Sequence, residues 1–227
     1  MYGGMEATMN KDKNKWLIVA CKTLEDEIKA ANKDNIDTLM VEHTLHMVPE
    51  TLQERLKSIV KEAKDYDTIL FGYGLCSNGA ANLGSHKHTL VIPKVHDCIS
   101  ILLGGRSVYD KEFADFPATY YLSKGWIDQK AGPLDSYREH VEKYDESTAK
   151  WLMEMSYANY KRVVYIHTVE AAGEYIDHAK EVADFLGIAF EEREGSLRLL
   201  EKLLSGDWDR EFVVNSPGQV VMARSFL

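Results

Sequence analysis

The sequence predicts an α/β fold: an open, mostly parallel, Rossmann-like sheet with helices on both faces, built as one unit or two lobes. Three observations predict it. Short β-branched runs alternate with longer stretches of helical periodicity, the pattern of parallel strands joined by crossover helices. The 227 residues are 45% hydrophobic, enough to bury a full core without staples. No Pro/Ser linker or low-complexity run interrupts the alternation.

Residues 1–15, MYGGMEATMNKDKNK, are polar and read as a flexible lead-in to a domain over 16–227. WLIVAC is the first strand, and KTLEDEIKAANK the first helix, with Leu24, Ile28 and Ala31 at helical spacing. IDTLMVE and a loop around HTLHMV lead into PETLQERLKSIVKEAK. There Pro49 suits a first helical turn, and Leu52, Leu56, Ile59 and Val60 form one face. YDTILFGYG is the third strand, followed by the small-residue stretch CSNGAANLG. HTLVIPKVHD feeds the helical CISILLGGRSVYDKEFADF, and ATYYLSKGW makes a fifth strand. If there are two lobes, their boundary falls near 124–135, within SKGWIDQKAGPLD. Beyond it come a helical region from about Ser136 to Tyr160, the strand RVVYIHT, the helix AGEYIDHAKEVADFLG, then IAFEERE, GSLRLLEKLLSG and EFVVNSPGQ.

Charge and cysteine usage narrow the function. With 27 Lys+Arg against 36 Asp+Glu the net charge is -9, which argues against nucleic acid and against an anionic membrane surface as partners. No apolar window approaches a membrane span. Three cysteines do not make a disulfide framework and no signal segment opens the chain, so the expected location is the cytoplasm, with reduced thiols.

The cysteines sit at comparable places. Cys21 ends the first strand, Cys76 lies in the glycine-rich loop GYGLCSNG after the third, and Cys98 follows the fourth at the start of a helix. Open parallel sheets bind ligands outside the carboxyl ends of their strands. If those strands are neighbours, the three thiols converge, with sulfurs expected about 4 to 7 Å apart if they share a metal or cluster. Gly72, Gly74 and Gly79 permit backbone angles and close approach that would present Cys76 inward. Helix N-termini after Cys21 and near Cys98 are expected to stabilise thiolates. Burial is the plain alternative for any one cysteine, which behaves as a small hydrophobe. None of the three, however, lies mid-strand or on the apolar stripe of a helix.

The residues ACKTLEDEI, YGLCSNG, HDCISILLGG and the tail EGSLRLLEKLLSGDWDREFVVNSPGQ resemble the DUF1638 family of anaerobic archaea and bacteria, over nearly the whole chain. The resemblance implies that the three cysteine positions are characteristic, and it implies a place near corrinoid-dependent methyltransferase systems. Lys22 and Asp97 depart from the family's usual residues.

Three thiolates with no obvious fourth suit a [4Fe–4S] iron–sulfur cluster with one iron open to a thiol or other small-molecule substrate. The alternative is zinc in a Cys₃ or Cys₃His set, with His96 two residues from Cys98; such a zinc–thiolate component would act in methyl transfer with a corrinoid protein or methyltransferase. A third reading, from another class, is a non-catalytic accessory that binds a cofactor or partner on the same edge. His96 is expected to steady a thiolate by hydrogen bonding rather than to ligate. Gly72, Gly74 and Asn78 are expected to contact the cofactor, and Tyr73 offers a hydroxyl. His43 and His46 could form a polar wall, although loop chemistry alone accounts for them. His167 ends a later strand, Trp126 could cap a pocket, and Glu25 and Asp26 are ordinary first-turn acids. A dinucleotide fingerprint is absent, because Ser77 stands where the third glycine belongs. DCISIL likewise lacks the histidine of a cobalamin-ligating signature.

Overall fold

The computed structural model describes residues 15–226. The expected lead-in, apart from Lys15, lies outside the described residues. The strands in chain order are β1 (Trp16–Cys21), β2 (Asp37–Val41), β3 (Thr68–Gly72), β4 (Thr89–Pro93), β5 (Thr119–Leu122), β6 (Arg162–His167), β7 (Ala189–Glu194) and β8 (Phe212–Asn215). The helices are α1 (Glu25–Ala31), α2 (Pro49–Glu62), α3 (Cys98–Leu102), α4 (Arg106–Asp115), α5 (Lys124–Asp128), α6 (Pro133–Lys143), α7 (Glu146–Tyr157), α8 (Gly173–Leu186) and α9 (Arg198–Ser205).

This is a mostly parallel, Rossmann-like α/β fold whose strands divide between two sheets. The first has the order β2-β1-β3-β4-β8, parallel except for β8; the second is β5-β6-β7, all parallel. Period-2 alternation sets their faces. Leu17, Val19 and Cys21 of β1 face α2, through Leu52, Leu56, Ile59 and Val60. Ile18 and Ala20 face the other way, onto Ile28 of α1, Ile101 of α3 and Leu199, Leu200 and Leu203 of α9. Val164 and Ile166 of β6 reach that same core from the second sheet, so α1, α3 and α9 are packed between the sheets. On the outer face of β6, Val163 and Tyr165 meet Ala179, Val182 and Ala183 of α8.

The alternation in the sequence marks strands but does not assign them to sheets. The transfer occurs at Gly104 and Gly105, whose φ values of 89° and 141° end the expected long helix and split it into α3 and α4. The chain then builds the second sheet and returns through α9 to add β8. The helical region expected from Ser136 begins at Pro133 and is likewise two helices. Asp145 starts the second of them by accepting the Thr148 N–H at 2.9 Å. Among the described residues no helix is long and apolar enough to cross a membrane.

Candidate functional site

β1, β3 and β4 are adjacent and parallel, so their carboxyl ends share one edge. Cys21 is the last residue of β1, Cys76 lies four residues past β3, and Cys98 opens α3 after β4. All three are buried and none is joined in a disulfide.

The loops holding Cys76 and Cys98 are tied backbone to backbone. Leu75 N–H donates to Val95 O at 2.9 Å and Cys76 N–H to His96 O at 2.8 Å. Gly74 makes this contact possible, because a Cβ there would stand 2.7 Å from Asp97 N and 2.8 Å from Val95 O. Gly72 serves a similar purpose inside the sheet, with a virtual Cβ 2.6 Å from that of Ala20. The glycines therefore supply close approach and not the unusual backbone angles. Those angles fall on Cys76, Ser77 and Asn78, three successive left-handed residues with φ of 46°, 54° and 71°. A left-handed non-glycine residue costs about 1–2 kcal/mol, least for Asn. The turn is held by Gly79 N–H donating to Cys76 O at 2.9 Å.

Electrostatics run opposite to the sequence expectation for the thiols. Burial is the largest influence on all three and pushes each above its ordinary value. For Cys76 and Cys98 the Asp97 carboxylate is the next contribution upward. Around Cys21 the Thr23 hydroxyl, 3.1 Å from sulfur, and nearby backbone N–H groups favour a thiolate without overcoming burial. Helix α3 is a single short turn whose N-terminus is occupied by Asp97, which accepts from Ser100 N. It has little dipole to offer Cys98.

Tyr73 stands among the thiols. Its side chain is fully buried, its hydroxyl has no hydrogen-bond partner, and burial followed by Cys21, Cys76 and Cys98 pushes its ionisation far up. His46 stacks on its ring with centroids 5.5 Å apart and lies 3.9 Å from the Cys21 sulfur through Nδ1. That nitrogen is also 3.0 Å from His43 O, and a carbonyl only accepts, so Nδ1 carries the proton and Nε2 the lone pair. Burial lowers the His46 pKa, which keeps the ring neutral at physiological pH. Trp126 of α5 closes the other side. Its buried Nε1 has no partner in hydrogen-bond geometry, yet its N–H is the neighbour that favours a thiolate at Cys98. Its ring meets His43 edge-on at 6.4 Å, and the His43 Nδ1 is also buried and unpartnered.

The remaining sequence candidates lie elsewhere. The His96 imidazole is exposed, 3.7 Å from Asp110 and beside Tyr109, and only its carbonyl serves the Cys76 loop. Asn78 is exposed and contributes its backbone to the turn. His167 pairs with Glu192 at 2.8 Å on the second sheet. The residues underrated by sequence are His46, Trp126 and Thr23; the HTLHMV segment after β2 was the one available signal for His46.

The donor chemistry fits a thiolate-held metal: three soft ligands, a neutral imidazole and unpartnered donors around them. Among the described residues no group of three or more His, Cys, Asp or Glu side chains is arranged to hold a metal ion. A cavity of about 690 Å³ elsewhere, against α7 and the end of α8 and lined by Lys150, Tyr157 and Phe185 among others, touches no cysteine.

Fold and edge together define a mostly parallel α/β protein with three free thiols at the carboxyl edge of its first sheet. The chain belongs to the DUF1638 family, described as a protein of unknown function, whose sequence profile matches residues 40–204 and so takes in Cys76 and Cys98. No curated protein and no solved structure matches the chain.

Proposed function

We propose that the chain is a cytoplasmic metalloprotein that binds a [4Fe–4S] cluster through Cys21, Cys76 and Cys98, keeps one coordination position open, and serves one-carbon, methyl or sulfur metabolism. The observation that carries this reading is the placing of three free cysteines at the carboxyl ends of three adjacent parallel strands, beside a buried hydroxyl without a partner. Plain burial explains each cysteine singly but not the unpartnered donors around them. When bound, the cluster would supply an iron able to coordinate a thiol or small anion. The chain's own contribution is to hold the thiolates, exclude water and orient what binds. Thr23 donates to the Cys21 sulfur, the His96 carbonyl tethers the Cys76 amide, and Tyr73 offers its hydroxyl to the bound group. Because burial keeps the metal-free thiols protonated, loading releases protons, and occupancy rises with pH.

A second reading, a zinc–thiolate methyltransferase component acting with a corrinoid protein, is favoured by His46. Its neutral ring lies 3.9 Å from the Cys21 sulfur, and with Nδ1 on a backbone carbonyl Nε2 would be the nitrogen to complete a Cys₃His set.

Anaerobic purification followed by iron, sulfide and zinc analysis separates the two. About four irons and four sulfides per chain, with broad absorbance near ~400 nm, are expected, and Cys21→Ser, Cys76→Ser and Cys98→Ser should each lose most of the metal. Stoichiometric zinc in a colourless protein would establish the second reading. A protein that takes up neither metal, or that responds to one cysteine alone, would overturn the shared site and leave a non-catalytic binding role.

A further inference from the structure

Beside the thiol edge lies a cavity of about 300 Å³, at the small end of the ~300–1,000 Å³ range of ligand clefts. Its wall is mostly aromatic: Tyr109 and Phe113 of α4, Tyr120 and Tyr121 of β5, Trp126 of α5, and Tyr160. Tyr109 and Phe113 stack with centroids 6.0 Å apart, and Tyr160 stands edge-on to Tyr120 at 5.3 Å and 88°. The rings thus form an angled box and not two parallel plates, a shape that fits a rounded guest better than a flat one.

The lining carries one charged side chain, and it is acidic. Asp97 lines the cavity, and its Oδ1 accepts from Ser100 N and Oγ, both at 3.0 Å. Among the described residues the lining holds no Lys or Arg. Arg162, whose guanidinium lies 4.0 Å from the Phe116 ring centroid at the wall, is already paired with Glu112 at 3.1 Å and Glu191 at 2.6 Å. Aromatic faces carry negative charge density and attract a large, weakly hydrated cation, and a methylated ammonium makes few demands for hydrogen-bond partners. An anion would meet the Asp97 carboxylate with no Lys or Arg of the lining to offset it.

We infer that this cavity binds a small organic cation of the quaternary or methylated ammonium type. Two lining residues connect it to the thiols: Ile99, next to Cys98 in α3, and Trp126, which also borders the Cys98 sulfur. That the guest is held for the three-thiol centre rests on the metal-centre reading; the binding itself does not.

Calorimetric titration of the full chain, metal-free and metal-loaded, with choline and with its uncharged isostere 3,3-dimethylbutanol tests the inference. Choline should bind at least about tenfold more tightly than the isostere to both forms. Phe113→Leu should weaken choline more than the isostere, and Asp97→Asn should weaken choline alone. Phe113 is 53% exposed and Asn caps a helix as Asp does, so neither change threatens the fold. Equal affinity for the two probes, no choline binding at millimolar concentration, or tighter binding of indole would each overturn the inference. Choline binding by a chain that takes up no metal would uphold the pocket while removing its tie to the thiols, so the two failures are distinguishable.

Discussion

Tyr73 bears a cost that packing does not explain. A buried hydroxyl without a partner is worth about 1–3 kcal/mol of lost stability, and this one sits where all three thiols act on it. Tyr73→Phe should therefore raise the thermal midpoint of the metal-free protein by about 2–12 °C for a chain of this size, while weakening thiol binding to the loaded form. A lower midpoint in the metal-free variant would show that the hydroxyl has a partner after all. The thiols make a second residue-scale prediction. Each has its pKa raised above the ordinary 9.0, chiefly by burial, so each stays protonated in the fold at pH values where the unfolded chain ionises. Their stabilising contribution is complete below about pH 9 and is lost as pH rises further, by at most about 1.4 kcal/mol per pH unit for each thiol. Urea unfolding of the metal-free protein between pH 7 and 10.5, set against the triple Cys→Ser variant, should show the excess fall in the parent. Parallel profiles would mean that the thiols are not held protonated.

At the scale of elements, the site depends on one loop lying directly against another. Gly74→Ala would put a methyl into the backbone of the β4 loop, an overpacking worth about 1–3 kcal/mol. The Leu75–Val95 and Cys76–His96 hydrogen bonds should loosen with it. Metal content should then fall about as far as in Cys76→Ser, although no ligand has been removed. Retention of full metal content would show that the loop contact does not position Cys76. Ser77 is exposed and left-handed, so Ser77→Gly should stabilise the metal-free fold by about 1 kcal/mol by relieving its backbone. Denaturant melts decide the sign.

The described residues form one mostly parallel and one parallel sheet that share the helices between them, and the segment after β5 of the second sheet packs beside the first sheet's edge. Trp126 arrives from α5 after β5, and Gly125 lets α5 settle on the turn after β1, since a Cβ at Gly125 would fall 2.0 Å from Thr23 O. Lys124 to Asp26 at 2.6 Å and Thr168 to Glu27 at 2.5 Å join the same surfaces. Gly125→Ala should thus cost about 3 kcal/mol and shift Trp126 fluorescence toward the exposed indole spectrum. An unshifted spectrum with native stability would mean that α5 can withdraw without disturbing the Cys98 side of the site.

The sequence alone determined the alternation of strands and helices, the ends of the strands, and so the placing of Cys21, Cys76 and Cys98 at carboxyl ends. These are properties of local periodicity and composition, which a chain states within ten or fifteen residues. Only the tertiary structure decided that β1, β3 and β4 are neighbours, that β5, β6 and β7 form a separate sheet, and which side chains surround the sulfurs. His96 is two residues from Cys98, yet the chain turns into α3 behind the Asp97 cap and leaves the imidazole beside α4. His46 is 25 residues from Cys21 and reaches its sulfur, and Trp126 reaches Cys98 from the other sheet. Such contacts follow from packing between distant segments, and the raised thiol pKa values follow from the burial that packing creates. Local sequence encodes the segments; their meeting is fixed by the collective burial of the cores on either side of β1.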